Sequence, residues 1–298
     1  MNGKRAPLPP FGGEEDATPF EAARVAIMPV PYEGTVSYGE GASRGPEAIL
    51  RASEQIELYD EWMEFQPSRI GIWTDAMLGV TNEDPAEQVA RAVRRRVGEL
   101  MDAGKWVAML GGEHSVTAGA VQAAAGRHSG LHLVQLDAHA DLRDSYRGDS
   151  WNHACVMARC LDLAPVRAIG IRSYSAEEAE RIRRGIPGYG ITHAWEMEEE
   201  GWIGRAIEGL EGKPVYLTVD VDYFDPSIVP ATGTPEPGGG QWWPTLRLLS
   251  NLFQRSRVVA CDIVELAPIP GLHHVDFTVA RLVYKLIGMG FRDELRLP

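Results

Sequence analysis

Cysteine is scarce, with three in 298 residues: Cys155, Cys160 and Cys261. The number is odd and no pair forms CxxC, which argues against a disulfide framework and makes a reducing cytoplasm the expected compartment. Each cysteine reads as a small buried hydrophobe. Positive charge is also in deficit. Lys and Arg total 29 against 42 Asp and Glu, a formal charge of -13. Nucleic acid is therefore not an expected partner, since phosphate binding needs a basic face. An acidic protein suits a cationic ligand, although net charge cannot identify one. No apolar run reaches the roughly 20 residues of a membrane-spanning helix, so no membrane partner is expected. The opening stretch, MNGKRAPLPPFGGEEDATPF, lacks the apolar middle of a signal peptide. Its Pro, Gly and acidic residues predict an irregular arm over residues 1–23, ordered in part against a neighbouring subunit. There is no internal repeat, low-complexity tract or linker, so residues 24–298 are expected to form a single domain.

What is present is a rhythm of short apolar runs and helical patterns. The predicted strands are Arg24–Pro31, Ile70–Trp73, Trp106–Leu110, Leu131–Asp137, Val166–Ile171, Val215–Asp220 and Val258–Glu265. Several are apolar without alternation, as strands buried on both faces should be. A helix is expected over Gly45–Asp60, which has an early proline. A second is expected over Asp84–Gly104, with Asp84 as N-cap, Pro85 in the first turn and Gly104 as the stop. The Arg94–Arg96 cluster on it reads as solvated surface. Strand and helix repeated in this way mean a parallel sheet with helices on both sides.

In such sheets ligands bind at the carboxyl ends of the strands. Four of the predicted strands run into residues of one chemical kind there. Trp106–Leu110 leads to GGEHS and His114. Leu131–Asp137 leads to DAHAD, which holds Asp137, His139 and Asp141. Val215–Asp220 leads to DVD, with Asp220 and Asp222, and Val258–Glu265 ends in Glu265. Residues i and i+2 of an extended chain face the same way, so Asp137 sides with His139 and Asp220 with Asp222. Asp141 joins them if the chain curls. Taken singly, DxHxD could be a solvated loop, DVD a turn or cap, and His114 a hydrogen-bonded structural histidine. Their joint occurrence favours a site. Four carboxylates and two imidazoles hold too much negative charge to sit close without cations. Two divalent ions would balance it, and a two-metal cluster is an established hydrolytic device. A set rich in carboxylates and free of thiolate favours Mn²⁺ or Mg²⁺ over structural zinc, and the imidazoles suit Mn²⁺ better. His128, His132, His193, His273 and His274 match no motif and read as structural, and Asp144 as solvated loop.

Together GGEHS, DAHAD, DVDYFDP and VELAP resemble the ureohydrolase family of arginases, agmatinases and their relatives. GASRGPEAIL (Gly41–Leu50) looks like the family's N-terminal signature and ATGTPEPGG (Ala231–Gly239) like its active-site loop. The resemblance spans roughly residues 25–290. It implies a three-layer α/β/α arginase-like fold with a mainly parallel eight-stranded sheet, two Mn²⁺ per chain, and a homotrimer or homohexamer. His114, Asp137, Asp141 and Asp220 would hold one ion and Asp137, His139, Asp220 and Asp222 the other, so that Asp137 and Asp220 bridge. Glu265 would pair with the substrate guanidinium in the two-point fit that carboxylates make. His153, in WNHACVMAR, would shuttle protons. Glu236 and the NHACVMAR segment look like the agmatinase subgroup, with Glu236 at the substrate. The implied reaction is agmatine to putrescine and urea, a step of polyamine biosynthesis. N1-aminopropylagmatine and guanidinobutyrate are alternative substrates. A deacetylase of the same fold and a non-catalytic binding or assembly paralogue are rivals of other kinds. The six ligands speak against both. Gln241 in GGGQWWP leaves the outer wall of the site open. Trp242 and Trp243 are expected to pack, and the loops Tyr32–Gly41 and Tyr146–Trp151 to shape the outer pocket.

Overall fold

A computed structural model describes residues 8–296. Eight strands form one sheet: β1 (Val25–Val30), β2 (Ile72–Thr74), β3 (Trp106–Gly111), β4 (His132–Leu136), β5 (Val166–Ile171), β6 (Tyr189–His193), β7 (Pro214–Asp220) and β8 (Arg257–Val264). Their order is β2-β1-β3-β8-β7-β4-β5-β6, and every pairing is parallel. The sheet is thus wholly parallel, where a mainly parallel one was expected.

Alternation along each strand feeds two cores. Val25, Ile27, Val134, Leu136, Leu217 and Val219 face one side. They pack with α1 (Gly45–Ser53), α6 (Trp202–Ala206), α7 (Trp242–Arg255) and α8 (His273–Gly290). Ala26, Met28, Leu133, Tyr216 and Ala260 face the other. They pack with α2 (Ala86–Asp102), α3 (Thr117–Ala125) and α4 (Val156–Leu161). The helices α5 (Ala176–Arg184) and α9 (Arg292–Leu295) complete the set. Both faces of the strands are covered, which is why the runs read as continuously apolar.

Several expectations shift. α1 ends at Ser53, not Asp60. The Ser53 hydroxyl donates back to the Leu50 carbonyl, a local bond that competes with the helix. The Asp60 carboxylate then organises a turn by accepting from Trp62 N and Met63 N. Asp84 does not cap α2. Pro85 is the N-cap, and the Asp84 carboxylate instead accepts from Thr81 N and Oγ1. Gly104 does stop that helix, at φ 76°. Arg96 is not simply solvated, because it pairs with Asp75 at 2.6 Å. The strand β6 is not among the runs predicted from pattern, since it lies at the sheet edge and is nowhere fully buried. Within the expected arm, residues 1–7 lie outside the described residues. Residues 8–23 pack on their own chain: Phe11 is buried, its N–H donates to Thr74 Oγ1, and Ala17 bridges Ile72.

Candidate active site

The strand order decides the site. β3 and β4 come from one stretch of chain and β7 and β8 from another, but the four lie side by side in the sheet centre, in the order β3-β8-β7-β4. Their carboxyl ends carry His114, Glu265, Asp220 with Asp222, and Asp137 with His139 and Asp141. The loop after β3 lies between its neighbours. Gly112 N donates to Val30 O, Glu113 N to Tyr32 O, and Glu265 N to Gly112 O. A side chain at Gly112 would put its Cβ 2.0 Å from the Tyr32 carbonyl oxygen, so only glycine allows this approach.

The DAHAD segment stays extended past β4, because His139 bridges Ser173 and Ser173 N donates to Ala138 O. It then curls at Asp141, whose φ is 51°. The Asp141 carbonyl holds the curl by accepting from Met157 N and Ala158 N. Glu265 has a similar backbone, φ 65°. Such conformations cost free energy and persist where surrounding structure enforces them.

These turns bring two ligand-like groups together. Atoms of His114, Asp137 and Asp141 lie within 4.8 Å of one another, as do those of Asp137, His139 and Asp222. Asp137 belongs to both. Asp220 faces the first group, with Oδ2 3.4 Å from His114 Nδ1. Of the two expected bridging carboxylates, Asp137 alone falls in both groups by this measure.

The hydrogen bonds around the carboxylates are specific. Asp137 accepts from His139 N and from Gln135 Nε2, and Asp222 from Ala138 N. His139 Nδ1 lies 2.9 Å from Asp222 Oδ2. The His114 imidazole tests whether a cation fits. Its Nε2 lies 3.0 Å from Thr218 Oγ1, and the only proton of that hydroxyl goes to Asp262 Oδ1 at 2.6 Å. Thr218 must therefore accept from Nε2–H, so neutral His114 carries a lone pair on Nδ1. That atom is buried without a hydrogen bond. Yet it faces Asp137, Asp141 and Asp220 oxygens at 3.1, 3.1 and 3.4 Å. A lone pair confronting three carboxylates is repulsive unless a cation lies between them. The donor set fits a divalent ion.

Without such an ion, protons take its place. Burial, then Asp222 and Asp141, raise Asp137 to about 7. Burial and the neighbouring carboxylates raise Asp220 in the same direction. Burial works against the charged form of His139, but Asp222, Asp137 and Asp141 outweigh it and raise it to about 10. Burial likewise opposes protonation of His114, and Asp137 and Asp141 overcome it. Asp222 is buried too, yet His139 holds it down at about 2.

A cavity of about 260 Å³ opens over this cluster. His114, His139, Asp141, Asp220, Asp222, His153 and Glu265 reach it. Glu265 Oε1 accepts from His114 N at 2.6 Å, and its Oε2 takes no hydrogen bond among the described residues. Burial, then Glu113, raise the Glu265 carboxyl well above its usual range. His153 is lowered, chiefly by burial. The outer walls are Val36–Gly39, Tyr146 and Ser173–Ser175. The first two lie in the loops expected to form them, and the third was not anticipated.

Other residues fall outside the cavity. Glu236 is at the rim, half-exposed, with Oε1 4.0 Å from His139 Nε2. Gln241 is the exposed N-cap of α7 and forms no wall. Trp242 packs on Phe224, and Trp243 meets Trp62 edge-on while half-exposed. Asp144 is exposed and pairs with Arg181.

Several supporting residues were missed from sequence. Asp262 is a charged residue inside an apolar strand, and that was the available signal. Parallel register sets it beside Thr218, and it also accepts from Tyr216 OH. Gln135 gave the same kind of signal, a buried amide in β4. Arg172 gave none. Its guanidinium donates to the carbonyls of Gly170, Asp222, Tyr223, Phe224, Glu236 and Pro237. It thereby ties the backbone of a ligand-like residue to the loop that carries Glu236.

The fold and site define a class of enzyme: an α/β/α hydrolase with a carboxylate and imidazole cluster at the carboxyl edge of a parallel sheet. The sequence profile of the Arginase family matches residues 23–288, and the chain belongs to that family. It is 42% identical to the N(1)-aminopropylagmatine ureohydrolase of Synechocystis sp. over 286 residues, covering 93% of this chain and 92% of that protein. It is 34% identical to the agmatinase of Pyrococcus horikoshii, covering 95% of this chain and 97% of that one. The crystal structure of the agmatine ureohydrolase of Thermoplasma volcanium superposes with a TM-score of 0.87 at 32% identity, covering 97% of each chain.

Proposed function

We propose that this chain hydrolyses an amino-terminated aliphatic guanidine to urea and an amine, with agmatine, giving putrescine, as the substrate. The observation that carries this is His114 Nδ1, buried without a hydrogen bond 3.1–3.4 Å from the carboxylate oxygens of Asp137, Asp141 and Asp220, directly below a cavity that Glu265 lines. His114, Asp137, Asp141 and Asp220 would hold one divalent ion, and Asp137, His139, Asp220 and Asp222 a second. The carboxylate and imidazole donors and the absence of thiolate favour Mn²⁺. When bound, two such ions supply a nucleophilic hydroxide near neutral pH.

The rest of the chemistry belongs to side chains. Glu265 pairs with the guanidinium and turns its central carbon toward the ligand cluster. Asp141 takes up the proton released as water adds to that carbon. His153, held neutral by burial, moves a proton to the leaving nitrogen. The C–N bond breaks, giving urea and a protonated amine. The cavity walls Val36–Gly39 and Ser173–Ser175 include no Lys or Arg. Arg143 also lines the cavity, but it lies over the Tyr146 ring and 3.8 Å from Glu178 Oε2, so it is already engaged rather than free for a substrate carboxylate, which suits an amine-terminated tail. Glu236, whose Oε1 lies 4.0 Å from His139 Nε2, would meet that tail.

N1-aminopropylagmatine is the second reading. Relatives of that name are 36–42% identical to this chain. Three buried free cysteines are consistent with a reducing cytoplasm.

The test is urea release with Mn²⁺ from agmatine, N1-aminopropylagmatine, guanidinobutyrate and arginine. The first two should be turned over, with kcat/KM at least about tenfold above guanidinobutyrate, a preference of about 1.4 kcal/mol. No urea from any of the four would refute the proposal.

A further inference from the structure

The loop after β1 inserts a threonine between a buried carboxylate and the cavity histidine. Thr35 N donates to Glu113 Oε2 at 2.7 Å, and Thr35 Oγ1 donates to Glu113 Oε1 at 2.8 Å. Glu113 is fully buried and also accepts from the Ser115 hydroxyl, so both of its oxygens are engaged as acceptors. On the other side, His153 N donates to Thr35 Oγ1 at 3.0 Å, and His153 Nδ1 lies 3.0 Å from the same oxygen. The Asn152 side chain reaches the Thr35 carbonyl at 3.3 Å.

A threonine hydroxyl has one proton. With that proton committed to Glu113, Thr35 Oγ1 can only accept from His153. Nδ1 must then carry the imidazole proton, and Nε2 keeps the lone pair. The hydrogen bond at one ring nitrogen thus sets what the other can do.

We propose that Thr35, itself fixed by Glu113, is a positioning residue that holds His153 in the Nδ1–H tautomer and presents Nε2 to the cavity as the proton-carrying atom. This rests on His153 being the proton carrier of the reaction proposed above. Thr35 touches no reacting atom. It acts by removing two freedoms, ring rotation and tautomer choice, that a loop imidazole would otherwise have. Glu113 adjoins a ligand-like histidine, but its role here is to orient a hydroxyl.

The experiment is steady-state urea release by the Mn²⁺-loaded protein, wild type against Thr35→Val, Thr35→Ala and Thr35→Ser, with the Mn²⁺ content and Tm of each variant measured. Valine and alanine remove the acceptor, and serine restores it. Valine and alanine should lower kcat by about 10- to 100-fold, part of the 10²–10⁴ that positioned proton transfer contributes, and leave KM within about twofold. Serine should recover kcat to within about threefold, and bound Mn²⁺ should be unchanged. In a His153→Ala background Thr35→Val should cost less than about twofold, because the two residues act as one unit.

Wild-type kcat in Thr35→Val overturns the proposal. So does serine failing with valine, Mn²⁺ lost in step with activity, or an undiminished loss in the His153→Ala background. In each of these cases urea release by the wild type leaves the proposed function standing. A wild type that releases no urea from any guanidine overturns both.

Discussion

Removing the divalent cations should make the protein progressively less stable as pH rises. The cause is visible in the cluster. Burial, then Asp222 and Asp141, raise Asp137 from 3.8 to about 7, and Asp220 moves the same way. In the unfolded chain such carboxyls titrate near about 3.9. A carboxyl raised on folding holds its proton more tightly in the native state. The stability that this contributes is complete below about pH 4 and is lost as pH rises through about 7. Counting Asp137 once for the whole cluster, the rise to about 7 at about 1.4 kcal/mol per pKa unit amounts to about 4 kcal/mol as an upper bound. His139, raised to about 10, adds a loss of the same sign between about pH 6.5 and 10. Bound cations replace these protons, and their affinity grows as the ligands deprotonate. Thermal unfolding of Mn²⁺-loaded and chelated protein from pH 5.5 to 8.5 checks this. Titrations elsewhere in the chain affect both forms alike and cancel in the difference. The gap in Tm should widen with pH and reach about 10 °C at the alkaline end, at about 2–4 °C per kcal/mol. A chelated protein as stable at pH 8.5 as at pH 5.5, or a gap that narrows, would refute the argument that these carboxylates need a cation.

Three other outcomes follow from particular contacts. Glu265→Gln keeps the shape but loses the charge that faces a guanidinium. It should lower kcat/KM by about 10- to 100-fold, as a charge-assisted bond of 1.5–3 kcal/mol predicts, with bound Mn²⁺ unchanged by metal analysis. Asp141→Ala should lose bound Mn²⁺ and urea release together, and full turnover after chelation would contradict its assignment as a ligand. Asp60 and Lys285 form a buried ion pair at 2.8 Å between the turn after α1 and the middle of α8. Asp60→Ala leaves the buried ammonium only the exposed Glu61 carboxylate at 3.6 Å and should cost about 3–5 kcal/mol, read from the urea midpoint, whereas a change below about 1 kcal/mol would mean that Glu61 suffices as its partner.

Much of the site was legible because its chemistry is carried by short motifs that follow apolar runs. Period-two geometry alone sides Asp137 with His139. The polar ends of four runs mark the sheet edge where a ligand would bind. The supporting residues were harder to see. Asp262 and Gln135 stand as polar residues in buried strands, but nothing local names Thr218 or His114 as partners, because register between strands sets those contacts. Thr35 and Glu113 are 78 residues apart and meet only because the loops after β1 and β3 run side by side. Arg172 looks like an ordinary loop cation until six carbonyls converge on it.

The amino-acid sequence by itself determined seven of the eight strands, the two-sided burial of most of them and the acidic and imidazole residues gathered at their carboxyl ends, since these depend on periodicity and on the chemistry of each side chain. Only the tertiary structure decided which strands became neighbours, that the chain curls at Asp141 with φ 51°, and that Asp137 alone belongs to both ligand-like groups. It also decided that His114 meets Thr218 through Nε2 and turns Nδ1 toward the carboxylates, because the partners of each ring nitrogen are brought in by distant segments. Adjacency, backbone curl and hydrogen-bond direction are set by packing across the whole sheet, which no single stretch of sequence encodes.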